Sequence, residues 1–346
     1  MNLYDVIQIA IIATLSFAIA FWLTPLLTHF LFKYKMGKTI RDSSVAPIAS
    51  NLHKAKSGTP TMGGILIWFT VLFLSVFIYY GWKIFGWESF NFLNFFSRSQ
   101  TLLPLGALVA SALVGLVDDW FNVKKIGPAG GGLAIRHRLL IYTLIALVGA
   151  WWFYYKLEWD VIHVPFLGNF NIGIWYIPLF IFIIVATSFS VNETDGLDGL
   201  AGGTLLAAFS AYVVIALVQE KTDLAAFCAA IVGALLAFLW FNINPARFFM
   251  GDTGAMSLGV TLGIVALLTN TVILLPLIGF VFMLESLSVI IQMSSKKIRK
   301  KKVFLSAPIH HHFEAIGWSE PKIVMRFWII SAVTTVIGLI LFLVDK

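Results

Sequence analysis

Five aspartates carry the chemistry this chain could perform. Asp118 and Asp119 fall in GLVDDW, Asp195 and Asp198 in NETDGLDG, and Asp252 in FFMGDTG. Each group lies at the end of a long apolar segment. A carboxylate near hydrocarbon is costly, so one kept there is a candidate functional group. Converging carboxylate oxygens suit a hard divalent cation, and Mg2+ is commonly held by one or two carboxylates together with waters and phosphate oxygens. Such an ion at a membrane surface points to phosphate chemistry on a lipid.

The elements that must position these groups are membrane helices. The 346 residues are 59% hydrophobic and only 12% charged, against about 25% charged in a soluble domain. Several stretches reach the roughly 20 apolar residues that span a bilayer. The expected fold class is an all-α polytopic membrane protein, with residues 1–346 forming one integral-membrane catalytic domain. Ten helices are expected, over residues 6–32, 62–81, 101–117, 139–155, 174–191, 203–219, 224–241, 254–269, 271–293 and 323–344. The first is too long and too lightly flanked for a cleaved signal peptide. Asn270 leaves only a tight turn between the eighth and ninth. Segment 156–173 alternates apolar and polar residues around Gly168 and Asn169, which predicts a short strand pair. Gly130–Gly132 mark a flexible loop.

The net charge of +7 sits in loops between apolar helices, the pattern of membrane orientation and anionic-lipid contact rather than of nucleic-acid binding. Loops 33–61, 118–138, 242–253 and 294–326 carry nineteen Lys and Arg, and the opposite side carries five. The positive-inside rule places the nineteen, and with them all five aspartates, in the cytoplasm, with both termini and the strand pair outside. The single Cys228 excludes a disulfide framework and a cysteine metal site.

Each motif also has a plainer reading. Adjacent residues on a helix point about 100° apart, so Asp118 and Asp119 reach one site only if the helix frays there; otherwise they are a solvated helix end. The macrodipole disfavours acids at that end, which argues for function. Asp195 and Asp198 share a face if their segment is helical, or else form a polar turn. Asp252 opens a helix and could be its N-cap. His310, His311 and His312 are too closely spaced on a loop for a zinc cage; imidazoles suit phosphate binding or proton transfer. Arg41, Lys54 and Lys56 precede GTPTMGG and could meet phosphate or simply orient a helix. Lys296–Lys302 suit anchorage to anionic headgroups. Glu285, inside the ninth helix, calls for a buried partner. No Walker loop, GxSxG or HExxH motif occurs, which argues against ATP-driven and serine-triad hydrolysis.

GTPTMGG, GLVDDW, NETDGLDGLAGG, FNINPARFFMGDTG and APIHHHFEAIGW occur in this order along nearly the whole chain. In these segments the chain resembles the phospho-N-acetylmuramoyl-pentapeptide-transferase family, a branch of the polyprenyl-phosphate N-acetylhexosamine-1-phosphate transferases. HHHFE is the element that separates this branch from those using other sugars. The resemblance implies a ten-helix bundle of the bacterial cytoplasmic membrane, often a homodimer, with a cytoplasmic-side Mg2+ site. It implies UDP-MurNAc-pentapeptide and undecaprenyl phosphate as substrates. By motif, Asp118, Asp119 and Asp252 match the essential aspartates that serve catalysis and the metal. Asn192, Asp195 and Asp198 match the segment around nucleoside and metal, and Asn242 and Phe249 match positions near the uridine. His310 matches the leading catalytic histidine, with His311 and His312 beside it at the substrate. Phe189 stands where the family usually has Asn, and Glu193 where it has Leu, adding an anion beside the diphosphate. The loop over 36–58 is longer than usual.

The chemistry so implied is attack of a lipid phosphate oxygen on the β-phosphorus of the nucleotide. Asp118 or Asp119 could take a proton from the lipid phosphate, and a two-step route with Asp252 as nucleophile stays open. Three other readings remain at this level: a UDP-GlcNAc or UDP-GalNAc transferase of the same superfamily, an ion-coupled transporter, and a non-catalytic scaffold that keeps the fold, which Glu193 leaves open. Transporters place their acids near the bilayer midplane, often in repeated halves.

Overall fold

In a computed structural model of the chain, the structure describes residues 2–37, 56, 58–98, 100–128 and 131–346. The described chain folds as α1 (Leu3–Lys33), α2 (Ile65–Phe85), the short α3 (Glu88–Leu93), α4 (Leu102–Val123), α5 (Ile135–Trp151) and the strands β1 (Val161–Val164) and β2 (Gly168–Asn171). It continues with α6 (Tyr176–Thr194), α7 (Leu200–Val218), α8 (Thr222–Asn242), α9 (Gly251–Leu268), α10 (Leu275–Ile278), α11 (Phe280–Ile298), α12 (Ile309–Ala315) and α13 (Glu320–Asp345). Among the described residues, nine helices are long and apolar enough to cross a membrane. The segments 272–278 and 280–298 form a tenth candidate span, bent by 85°. That break corrects the expectation of one straight helix over 271–293. Gly279 ends α10, and its N–H closes the turn onto Leu275 O at 2.7 Å.

The helices also run past their apolar stretches at the acidic ends. α4 continues to Val123, α5 begins at Ile135, α6 continues to Thr194, and α9 begins at Gly251. Hydropathy marks where hydrocarbon stops. These extra turns persist because their polar side chains pair with one another inside protein.

α9 is the axis of the bundle, with 94% of its most apolar window buried, and it packs against α4, α6, α7 and α2. The crossing with α4 is close: a Cβ on Gly115 would lie 2.4 Å from Asp252 O, so only glycine lets the two backbones meet there. Thr253 fastens the crossing, donating through Oγ1 to Ala112 O at 2.8 Å and accepting from Trp68 Nε1 at 3.2 Å.

The strand pair forms as expected, antiparallel with Val161 opposite Asn171 and Val164 opposite Gly168. It docks on the C-terminal end of α13 through His163 and Asp345. The N-terminal residue of the same helix, Glu320, contacts Asp198 at the other end of the bundle. At about 1.5 Å per residue, the 26 residues of α13 set the hairpin and the aspartates on opposite faces.

Candidate active site

Asp118 and Asp119 lie inside an unfrayed helix, which corrects the reading that they end it. The 100° step between them is fully expressed. Asp118 turns toward α5: its Oδ1 accepts from the Leu133 N–H, and its Oδ2 lies 2.7 Å from Nη2 of Arg138. Asp119 turns toward α9 and α2, accepting from the Thr253 N–H at 3.0 Å and the Thr61 hydroxyl at 3.2 Å.

Four N–H groups at a helix start lack intrahelical partners. At α9 the neighbouring carboxylates supply them, because Asp119 takes Thr253 N–H and Asp195 Oδ2 takes Gly251 N–H at 3.2 Å. Asp252 is therefore not the N-cap of α9. Its Oδ1 accepts from Asn192 Nδ2 at 2.5 Å, and its Oδ2 lies 2.9 Å from Arg138 Nη2. Arg138 also donates from Nη1 to Asn192 Oδ1 at 3.2 Å. The carboxyl groups of Asp118 and Asp252 interact directly as well. One guanidinium thus serves two facing carboxylates, both mostly buried. Arg138 was not singled out by sequence; its only signal was a basic residue entering a membrane helix two turns after a glycine turn. Gly131 and Gly132 belong to that turn, which is hydrogen-bonded onto Pro128 O and Ile126 O and delivers Leu133 N–H to Asp118. The expectation of a flexible loop gives way there to a defined turn, while Gly130 lies outside the described residues.

Asp195 and Asp198 do not share a helical face, since residues 195–199 form turns. Asp195 faces α9. Asp198 faces away, with Lys56 Nζ at 2.6 Å from Oδ1 and with Asn244 Nδ2 and Ala246 N–H each donating to Oδ2 at 3.0 Å. Glu320 completes that cluster. It accepts from Lys56 at 2.5 Å, from the Asp198 N–H at 2.7 Å and from Asn244 at 3.1 Å. Glu320 is a second residue that sequence reasoning missed; it resembled an ordinary acid in the loop before the last helix. Lys56 also lies over the Phe249 ring, 5.9 Å from its centre. Arg41 and Lys54, read with Lys56 as one basic loop, lie outside the described residues.

The GTPTMGG segment pairs its backbone with the FFMG segment, Phe249 N–H to Pro60 O and Gly63 N–H to Phe249 O, each at 2.8 Å. This presents the Phe249 ring beside Lys56. Asn242 is a brace between loops: its Oδ1 accepts from Gly199 N–H at 3.0 Å and its Nδ2 donates to Phe248 O at 2.8 Å.

The three histidines lie on the helix α12 rather than on a loop, and each bonds a different partner. His310 is fully buried against Glu285, Nδ1 to Oε2 at 3.0 Å, which supplies the partner that Glu285 required. His311 Nδ1 lies 2.6 Å from Glu314 Oε2. His312 Nδ1 accepts from Leu305 N–H at 3.3 Å. Burial pushes the pKa of His310 down, but Glu285, with Glu314 and Glu193, outweighs it and holds the imidazole above its ordinary value. Glu193 therefore exerts its field on His310.

The fit to a divalent cation can be tested on these groups. Among the described residues, no three His, Cys, Asp or Glu side chains are arranged as a metal cage. Asp118 Oδ2 is buried and accepts no well-aligned hydrogen bond, despite the nearby guanidinium. A pair of carboxylates with an acceptor to spare fits Mg2+, which completes its shell with water and phosphate.

The family described as Glycosyl transferase family 4 matches residues 101–270. The Phospho-N-acetylmuramoyl-pentapeptide-transferase signature 1 matches residues 56–67. The chain is 42% identical to the phospho-N-acetylmuramoyl-pentapeptide-transferase of Chloroflexus aggregans, over 96% of this chain and 90% of that protein. The chain belongs to the phospho-N-acetylmuramoyl-pentapeptide-transferase family. Proteins of the same name from Geobacillus sp. and Bacillus anthracis are 40% and 39% identical, over 97% and 94% of this chain and 98% and 95% of theirs. The family's signature segment is the one that carries Lys56 and pairs its backbone with Phe249.

Proposed function

We propose that this protein transfers phospho-MurNAc-pentapeptide from UDP-MurNAc-pentapeptide to undecaprenyl phosphate, giving undecaprenyl-diphospho-MurNAc-pentapeptide and UMP. This is the first membrane step of peptidoglycan synthesis, and we place it at the cytoplasmic face of the bacterial inner membrane. The observation that carries the reading is full-length identity near 40% to transferases of that name, in a chain whose buried acids gather at one end of the bundle.

In the reaction a phosphate oxygen of the lipid forms a bond to the β-phosphorus. The bond from that phosphorus to the oxygen bridging to the α-phosphate breaks, and UMP leaves with that oxygen. Two anions must meet, so neutralising charge is the main catalytic task. Mg2+, held by Asp118 and Asp252 with Asp119 close behind them, would supply a doubly positive centre for the phosphate oxygens. Arg138, already between these carboxylates, adds a planar cation suited to phosphate. Asn192 orients both Asp252 and Arg138. Asp252 accepts from Asn192 through Oδ1 and lies beside Arg138 through Oδ2, and we favour direct attack over a route with Asp252 as nucleophile. Asp118, whose Oδ2 lies beside Arg138 without a well-aligned hydrogen bond, is the acceptor we assign for a lipid phosphate proton. That proton is weakly held, the second pKa of such a phosphate being about 6. Lys56 and Phe249 offer an ammonium and an aromatic face to the nucleotide, and His310 a ring nitrogen to a phosphate oxygen.

The test is UMP release by purified protein with undecaprenyl phosphate and Mg2+, comparing UDP-MurNAc-pentapeptide with UDP-GlcNAc. Turnover with the pentapeptide substrate alone is expected. Turnover with UDP-GlcNAc alone would move the enzyme to another glycan, and no turnover with either would end the transferase reading.

A further inference from the structure

Glu285 takes no part in the steps above, yet its side chain is fully buried in α11. Its Oε2 lies 3.0 Å from Nδ1 of His310 and 3.5 Å from the His310 backbone N–H. The backbone group can only donate, which suits a Glu285 carboxylate, and a carboxylate takes its bond to the ring from Nδ1–H. Nε2 is then the outward atom of the imidazole. It is buried and has no hydrogen-bond partner among the described residues. It presses on the α6–α7 turn so closely that a Cβ on Gly196 would lie 2.3 Å away. That turn begins at Asp195, directly after α6, which carries Asn192. Leaving a buried polar atom unpaired costs about 1–3 kcal/mol, and such exceptions require an explanation.

We infer that Glu285 is a positioning residue for the transfer reaction: it holds His310 in the Nδ1–H form and keeps Nε2 directed at the α6–α7 turn, where it meets a phosphate oxygen of the nucleotide substrate. This rests on the transferase reading given above. The other ionisable groups around His310 are His311, whose ring centre is 4.1 Å away, Glu314 on the same helix and Glu193 at the end of α6. Glu314 is already paired with His311. Glu285 bonds the His310 ring directly, at Nδ1. The carboxylate also favours the imidazolium, in which Nε2–H donates to an anionic oxygen.

The test uses full-length protein in lipid nanodiscs with 15N-labelled histidine, comparing wild type, Glu285→Gln, Glu285→Asp, His310→Asn and the Glu285→Gln/His310→Asn double variant. The His310 signal is identified by its loss in His310→Asn. In Glu285→Gln that signal is expected to titrate at lower pH and to lose its fixed tautomer. UMP release should fall by about 10–100-fold, as for other residues that orient a functional histidine, with the alkaline limb of the pH–rate profile moved to lower pH. Glu285→Asp should recover part of both effects, and the double variant should lose no more than His310→Asn alone. A His310 signal unchanged by Glu285→Gln would overturn the positioning role whatever the rates. So would a loss in the double variant equal to the product of the two single losses. A wild-type protein that releases no UMP, but whose His310 signal responds to Glu285→Gln, would overturn the transferase reading and leave only the ring-orienting contact.

Discussion

At the hairpin end of the bundle Asp345 is met by two partners of its own, His163 Nε2 at 2.6 Å and the Phe166 N–H at 2.5 Å. At the other end the arithmetic is reversed. Arg138 is shared by Asp118 and Asp252, and Lys56 by Asp198 and Glu320. Both ends fasten a helix terminus to a loop, so fastening does not require the surplus acids. A face that only holds together can match each charge with a donor. At the acidic face carboxylates crowd around shared cations, the arrangement expected if that face receives a cation and an anionic substrate, at some cost in stability.

The contrast breaks first if equivalent cuts at the two ends have equal effects. Asp252→Ala is expected to lower UMP release by about 10³-fold, while Asp345→Ala changes it less than about twofold; steady-state rates of both, in protein with an unaltered chromatographic profile, decide this. Next comes the surplus charge itself. Asp118→Asn should cost about 100-fold in rate yet leave Tm unchanged or higher, because Arg138 then serves one carboxylate. Arg138→Ala should lower Tm, by about 3 kcal/mol of stability for an uncompensated buried charge, and millimolar Mg2+ should restore part of it. A lowered Tm in Asp118→Asn would show that the pair is not strained.

A smaller effect is expected at the second cluster. Glu320→Gln should raise KM for the UDP substrate about 10-fold with kcat nearly constant, since Glu320 positions Lys56 and Asn244 and lies apart from the carboxylates around Arg138. A fall in kcat alone would place it with those groups instead. The smallest effect belongs to the hairpin. The hydrogen bond to Asp345 holds the pKa of His163 above its ordinary value. A raised folded-state pKa adds stability that is fully present below the unfolded value of about 6.5 and is lost as pH rises through the folded one. The Tm gap between wild type and His163→Asn should therefore be on the order of 1 °C at pH 5.5 and close toward pH 9. A gap that widens with pH would mean the pair is not ionic.

Much of the fold was legible because hydrocarbon demands long apolar runs, and the alternation around Gly168 marked the hairpin. The helix ends were not, since α4 and α6 extend through polar residues that water would have unravelled. The site acids were legible as a set. Their individual duties were not, because those depend on which neighbour each 100° step meets: Asp118 meets Arg138, whereas Asp119 meets the start of α9. Arg138 and Glu320 escaped notice because each reads locally as an ordinary charge in a loop just before a membrane helix, and only the distant segments they join give them meaning.

Lys56 shows how the enzyme could be inhibited. Two carboxylates already hold its ammonium, so a nucleotide that recruits it must compete with an internal ligand, and the affinity measured is the difference between the two. A compound bearing its own ammonium, placed to reach Asp198 and Glu320, would take over that internal contact and release Lys56 toward the compound's anionic part.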